Sequence, residues 1–455
     1  MMNVHFIAIG GSAMHNLAIA LKKKGFRVTG SDDEIFEPAK SRLQKYALLP
    51  AKEGWYPESI TRDLDAVILG MHARIDNPEL LRSQELGIKV FSYPEFLYEQ
   101  ARDKQRIVIG GSHGKTTITA MILHVLRSIG RDCDYMVGAQ LDGFEVMVKL
   151  SEAAPMMIFE GDEYLTSPID RRPKFHLYMP DIALISGIAW DHMNVFPTFE
   201  NYCDQFRIFA GLVRKNGKLI YCMEDHAVVD AVRSADPSVE LIGYALPQHV
   251  LVDGITSLIT PGGNIPLKVF GHHNLLNMSG ALEICRQLKV ADTDFYKAIS
   301  SFNGASNRLE NIGKNEYTRI FRDFAHSPSK LQATTMSVKE QYPGKFLVAC
   351  MELHTYSSLS QAFLEQYQGT MDAADLPIVY FNPHALTIKK LPPLDPEMIK
   401  KAIGRPDLMV FTDSRLLSDF LLNFGWKNKN LLMMSSGDFN GMDVKAFAQQ
   451  LLKLA

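Results

Sequence analysis

Residues 107–118 read IVIGGSHGKTTI: an apolar run breaks into two glycines and re-enters helical text through Gly114, Lys115, Thr116 and Thr117. The chemistry open to such a turn is anion capture. Backbone N–H groups of a Gly-rich turn at a helix N-terminus converge on a phosphate, and the helix dipole adds to the attraction. Lys115 would neutralise terminal phosphates and the Thr116 hydroxyl would sit on Mg²⁺. The usual P-loop spacing asks for glycine at position 109, which is Ile109, so Gly110 and Gly111 make a shorter loop. A second turn, AIGGSAMHNLAIAL, lies where a dinucleotide fingerprint would. Ala8, Gly10 and Ala13 stand at its glycine positions, so only the middle glycine survives. Asp32, 22 residues after Gly10, falls where a ribose-binding acid would. A nucleotide diphosphate other than NAD would use the same helix N-terminus, and a tight turn without a ligand would read the same way.

Two further stretches carry hard-metal chemistry. FEGDEY places Glu160, Asp162 and Glu163 directly after an apolar strand, and AWDHMN places Asp191 and His192 after another. A parallel sheet presents its ligands at that end of its strands. Mg²⁺ keeps several waters, so one carboxylate plus phosphate oxygens suffices to hold it. Read singly, each stretch is equally a solvated loop or a helix cap.

The elements that must position these residues alternate. VHFIAIG (4–10), FRVTGSD (26–32), AVILG (66–70) and KVFSY (89–93) are strand-like, with helical text such as NPELLRSQELG between them. The charged stretch EQARDKQR (99–106) closes that block. In the second block IVIG leads into the helical TITAMILHVLRSIG, followed by MMIFE (156–160), IALIS (182–186), KLIYC (218–222) and the amphipathic HNLLNMSGALEICRQL (273–288). A third block from about residue 308 holds TRIFRDFA, KFLVACME, LPIVYF, LMVFTD and NLLMMSS. Strands alternating with helices predict parallel sheets covered on both faces, hence an α/β fold with doubly wound sheets. The expected domains are 1–104, Rossmann-like; 105–306, a P-loop domain; and 307–455, doubly wound.

The whole chain sets bounds. Its 455 residues exceed one typical core, and 46% apolar with 22% charged is an ordinary globular composition. A formal charge of −3 offers no basic footprint for nucleic acid. Cys133, Cys203, Cys222, Cys285 and Cys350 are scattered without a CxxC, which reads as reduced structural thiols. No run reaches the ~18 apolar residues of a membrane span, and MMNVHFIAIGG lacks a basic leader. A cytoplasmic protein, a monomer or weak homodimer, is the expectation.

These pieces, in this order, resemble the Mur ligase family, the ATP-dependent amide-forming enzymes of peptidoglycan synthesis. The family's ATP loop, GTxGKTT, is matched by Gly111, Ser112, His113, Gly114, Lys115, Thr116 and Thr117. Its ExDE is matched from Glu160 and its DH pair by Asp191 and His192. The adenine-proximal G-x-HN-x-x-N corresponds to Gly271, His273, Asn274 and Asn277. The hinge FxGxxxRxE corresponds to Phe302, Gly304, Arg308 and Glu310, and the nucleotide-proximal D-[FY]-A-H to Asp323–His326, with a late Gly437-Asp438. The resemblance implies ATP and Mg²⁺ (or Mn²⁺), the metal on Thr116, Glu160 and His192, and catalysis by Lys115, Glu160, His192 and Arg308.

It also implies UDP-N-acetylmuramate in the first domain, at Gly10, Gly11, Ser12, Ala13, Met14, Ser31 and Asp32. The stretch EGDEYLTSPIDRRPKF is similar to family members that join a recycled tripeptide, L-Ala-γ-D-Glu-meso-diaminopimelate, to that sugar. On that reading Asp162, Glu163, Tyr164, Arg171 and Arg172 serve substrate binding. The alternatives are a member that adds L-alanine and a catalytically weakened UDP-sugar-binding protein. The chain departs from the pattern at Gly187, where Asn is usual, at Ser327, where a second His is usual, at Asn307 and in ELHTYSSLS (352–360).

Overall fold

The computed structural model describes residues 2–141, 143–193 and 195–454. Strands β1 (Asn3–Ile7), β2 (Arg27–Ser31), β3 (Ala66–Leu69) and β4 (Val90–Ser92) form a parallel sheet in the order β2-β1-β3-β4. All four residues of β3 are buried, as expected of a strand covered on both faces. Helix Ser12–Lys23 buries Met14 through Leu21 and ends on Lys22 and Lys23, which suit the negative end of its dipole. Helix Pro78–Glu85 starts on Asn77, whose side chain accepts from the N–H groups of Glu79 and Leu80.

The second sheet holds β5 (Gln105–Gly110), β6 (Asp134–Met136), β7 (Val148–Lys149), β8 (Met156–Glu160), β9 (Ile182–Ile185), β10 (Lys218–Cys222) and β11 (Glu240–Tyr244). Its order is β11-β10-β9-β5-β8-β6-β7, parallel except for β7. Because β5 lies between β8 and β9, Ile109 pairs with Glu160 and Gly110 with Ile185. That register decides the site: three strand ends open beside the helix Lys115–Ser128.

Strands β12 (His249–Val252), β13 (Ile255–Thr260) and β14 (Gly263–Pro266) make an antiparallel meander. The last sheet takes β15 (Glu310–Lys314), β16 (Arg319–Asp323), β17 (Phe346–Leu353), β18 (Leu376–Phe381), β19 (Met409–Phe411) and β20 (Lys429–Met434) in the order β15-β16-β20-β17-β18-β19, with only β15 antiparallel. Strand β17 feeds two cores by simple alternation: Leu347, Ala349, Met351 and Leu353 on one face, Val348 and Cys350 on the other.

The chain forms two compact units, one of Met1–Ile188, Thr198–Ala245 and Gly280–Ala291, the other of Ala189–Pro197, Leu246–Ser279 and Asp292–Ala455. All five cysteines are unbonded and buried. Burial pushes the Cys133 thiol up to about 12, against thiolate chemistry. Among the described residues, no helix is long and apolar enough to cross a membrane.

Candidate active site

The loop after β5 is held in a shape that glycine permits. Gly111 sits at φ +135° and Gly114 at φ +81°, both in the left-handed region, and Gly114 caps the helix that begins at Lys115. The Lys115 ammonium donates to the Gly111 carbonyl and, at 2.6 Å, to Glu163 Oε2. The other Glu163 oxygen accepts from the Tyr202 hydroxyl at 3.0 Å. Burial alone would lower the Lys115 pKa, but Glu163, Asp162 and Glu160 outweigh it and the net direction is up. The lysine therefore stays charged where an anion would meet it.

Beside it, Thr116 Oγ1 donates to Glu160 Oε1 at 2.7 Å, and the Gly138 N–H reaches Glu160 Oε2 at 2.7 Å. Both Thr116 and Glu160 are buried. This pair brings together, from β8 and the loop helix, two of the three residues expected to hold a metal. Hard oxygens are what Mg²⁺ takes, and phosphate oxygens with water complete such a shell, so the pair fits that ion. Among the described residues, no group of three or more His, Cys, Asp or Glu side chains is gathered around a point that could hold a metal.

Strand β9 supplies the loop's second wall. The Ser112 N–H donates to the Gly187 carbonyl at 2.9 Å, as does the Ser112 hydroxyl at 3.2 Å. The Ser112 hydroxyl also lies 2.9 Å from His113 Nδ1. Ser186 donates its hydroxyl to the Gly110 carbonyl at 3.2 Å and to the His113 carbonyl. Thr117 is buried at the helix start. Reading the sequence missed Ser186, Gly138 and Tyr202, which contact the loop and its acids from far along the chain. The only local signal was the serine and glycine ending an apolar strand.

The basic stretch after β8 largely folds onto its own acids. Asp162 accepts from Lys174 Nζ at 2.6 Å and from the Tyr164 N–H at 3.2 Å. Arg172 Nη2 donates to Asp170 at 2.6 Å. Arg171 is exposed and makes no ion pair among the described residues.

The first turn is built differently. Ala8 carries a positive φ of 67°, and the Gly10 N–H donates to Asp32 Oδ2 at 2.7 Å. A side chain on Gly10 would meet that oxygen. Burial, with Asp33 beside it, raises the Asp32 pKa to about 6. Gly11, Ser12, Ala13 and Met14 form the helix entry. Ser31 is buried and donates to Glu79, which also accepts the Tyr56 N–H at 2.6 Å and lies 3.4 Å from His5 Nε2. The Ser31 hydroxyl is thus committed to the protein interior.

The remaining expected residues belong to the second unit. His192, at φ +55°, follows Asp191, which pairs with Lys330 at 2.9 Å and lies 4.0 Å from His326 Nε2. Burial would raise the Asp191 pKa, but Lys330, His192 and His326 hold it well below the usual carboxylate range. Burial lowers His326 to about 4, so the ring is neutral at pH 7. Asp323 accepts the Leu309 N–H at 2.5 Å and the Ala325 N–H at 2.7 Å, so its carboxylate builds the backbone at the hinge motif. Arg308 lies over the Phe324 ring at 4.5 Å. His273 Nδ1 is 3.2 Å from Ser337 Oγ, Asn274 donates to the Phe270 carbonyl at 2.9 Å, and Asn277 is buried.

The family described as Mur ligase middle domain matches residues 109–285, and that described as Mur ligase family, catalytic domain, matches residues 3–105. The UDP-N-acetylmuramate–L-alanine ligase of Caldicellulosiruptor bescii is 30% identical over 390 residues, 82% of each chain. Among solved structures, a UDP-N-acetylmuramate–alanine ligase from Thermotoga maritima superposes with a TM-score of 0.71 at 19% identity, covering 100% of this chain and 99% of that one. A murein peptide ligase from Psychrobacter arcticus does so with a TM-score of 0.66 at 23% identity, covering 100% and 98%. At those identities the structural likeness speaks for the α/β fold. Sequence and fold agree, and the chain belongs to the Mur ligase family, whose members are ATP-dependent ligases that form amide bonds.

Proposed function

We propose that the protein uses ATP to activate the lactyl carboxylate of UDP-N-acetylmuramate and couples it to the amine of L-alanine. A carboxylate cannot condense with an amine in water, because oxide is too poor a leaving group. Transfer of the γ-phosphoryl group gives an acyl phosphate; the amine attacks its carbonyl and phosphate departs. The observation that carries the reading is the set beside the ends of β5 and β8, with Lys115 on the buried Glu163 and Thr116 on the buried Glu160. Lys115 would balance charge on the transferred group, and the loop N–H groups would orient it in line. Mg²⁺ held by Thr116 and Glu160 would supply the remaining positive charge. Residues of the second unit, from His192 to His326, enter the proposal through the sequence pattern alone.

The choice of amine rests on the relatives. Curated relatives such as that of Caldicellulosiruptor bescii are L-alanine ligases, and this supports L-alanine above the tripeptide expected from the sequence. The tripeptide stays as the second reading on one observation, the exposed Arg171 within EGDEYLTSPIDRRPKF. Phosphate release measured with UDP-N-acetylmuramate plus either L-alanine or the tripeptide separates them. Release with neither amine overturns both readings.

A further inference from the structure

The phosphate loop and the end of β9 are fitted to each other at one point. His113 and Gly187 are neighbours across the strand gap, and a Cβ on residue 187 would fall inside contact distance of the His113 ring atoms Cε1 and Nε2. Gly187 has no positive φ, so backbone conformation is not what demands glycine there. The seated ring leaves no room for a side chain there. The same residue's carbonyl accepts from the Ser112 N–H at 2.9 Å and from its hydroxyl at 3.2 Å, and that hydroxyl sits 2.9 Å from His113 Nδ1. With the Ser112 proton on the Gly187 carbonyl, Nδ1 donates to the Ser112 oxygen. One chain of hydrogen bonds then runs from the imidazole through Ser112 to the backbone of residue 187.

We propose that His113 and Gly187 are a matched pair that presets the nucleotide loop, making Gly187 a positioning residue and not a lost side chain. This rests on the reading of residues 111–117 as the ATP loop. A side chain at 187 displaces the ring, breaks the bond between the imidazole and Ser112, and loosens the loop just before Gly114 and Lys115.

The test is a double-mutant cycle read by calorimetric affinity for β,γ-methylene ATP with Mg²⁺, on the full chain. Gly187→Ala and His113→Ala should each weaken the analogue by about tenfold, the scale of one lost hydrogen bond or two. The double variant should be no weaker than either single one, because a missing ring cannot clash. Affinity for UDP-N-acetylmuramate should be unchanged in all three. Multiplying losses, or a Gly187→Ala protein that binds like wild type, overturns the pairing. Should Gly187→Ala not fold, the double variant decides. Folding with the affinity of His113→Ala supports the pair, and failure to fold places the fault in the backbone and overturns it. A wild type that ignores the analogue overturns the ATP-loop reading and the pairing with it.

Discussion

Two turns of the first unit begin alike and end as opposites. After β1 and after β5, an apolar strand runs into glycines and a helix follows. In the turn after β5 the protein brings its own cation: Lys115 lies within the loop, and the nearby carboxylates keep it charged. In the turn after β1 the protein brings an anion: Asp32 takes the Gly10 N–H, a donor that a phosphate would want. The same local pattern therefore makes one site tuned for a highly charged ligand. The other has its first donor already spent, so a diphosphate there would rely on N–H groups nearer Ser12. Glycines shape both turns; the charged neighbours decide what each can hold.

The contrast breaks first at Lys115. Lys115→Ala should lower phosphate release by roughly 10²–10³-fold while leaving UDP-N-acetylmuramate affinity nearly intact, since only one turn depends on the lysine. Wild-type turnover in that variant would erase the distinction. Glu160→Gln keeps the shape that Thr116 and Gly138 grip but removes a charge. A titration with Mg²⁺ should then need about tenfold more metal for half-maximal activity, and an unchanged curve would make Glu160 a structural acid.

Asp32 sharpens the other side. Its folded pKa of about 6 lies above the ordinary carboxylate value of 3.8, so the native state holds the extra proton between those values and stability falls as pH rises through that window. Asp32→Asn removes this dependence. Denaturant unfolding at a series of pH values should show the variant gaining on wild type from pH 4 to 6, by up to about 3 kcal/mol, and level above. A flat difference would mean that Asp32 titrates as an ordinary carboxylate despite its burial. The smallest effect is expected at Arg171. Exposed charge pairs are worth little, so Arg171→Ala should raise the Michaelis constant for tripeptide about threefold and leave that for L-alanine alone. Equal behaviour with both amines would remove the remaining support for the tripeptide.

Much of this architecture could be read from the chain alone, and the failures have a common cause. MMIFE, IALIS and KLIYC were legible because strands covered on both faces are short unbroken apolar runs. Asp134–Met136, Glu240–Tyr244 and the meander from His249 to Pro266 were not, being short or half-exposed with no such run. At the site, Gly-Lys-Thr after a strand announced the loop, and the acid cluster announced Glu160 and Glu163. Ser186 was hidden because only the strand order sets the end of β9 beside β5, and Tyr202 because a helix far along the chain, Phe199–Gly211, brings its hydroxyl to Glu163. Asp323 was legible as a motif residue, yet its carboxylate is engaged by backbone N–H groups. Type can be read locally; orientation depends on the fold.

The 2.6 Å pair between Lys115 and Glu163 has a further consequence for which visitors are retained. Any anion reaching the loop must compete with a carboxylate already seated on the ammonium and steadied by Tyr202. A lone inorganic phosphate offers few contacts with which to win that contest. A triphosphate, touching the loop along its length, offers many. On the proposed ATP reading, the internal rival would discriminate by ligand size without any moving gate. It would also hasten departure, since the carboxylate stands ready to reclaim the lysine once the ligand's hold weakens.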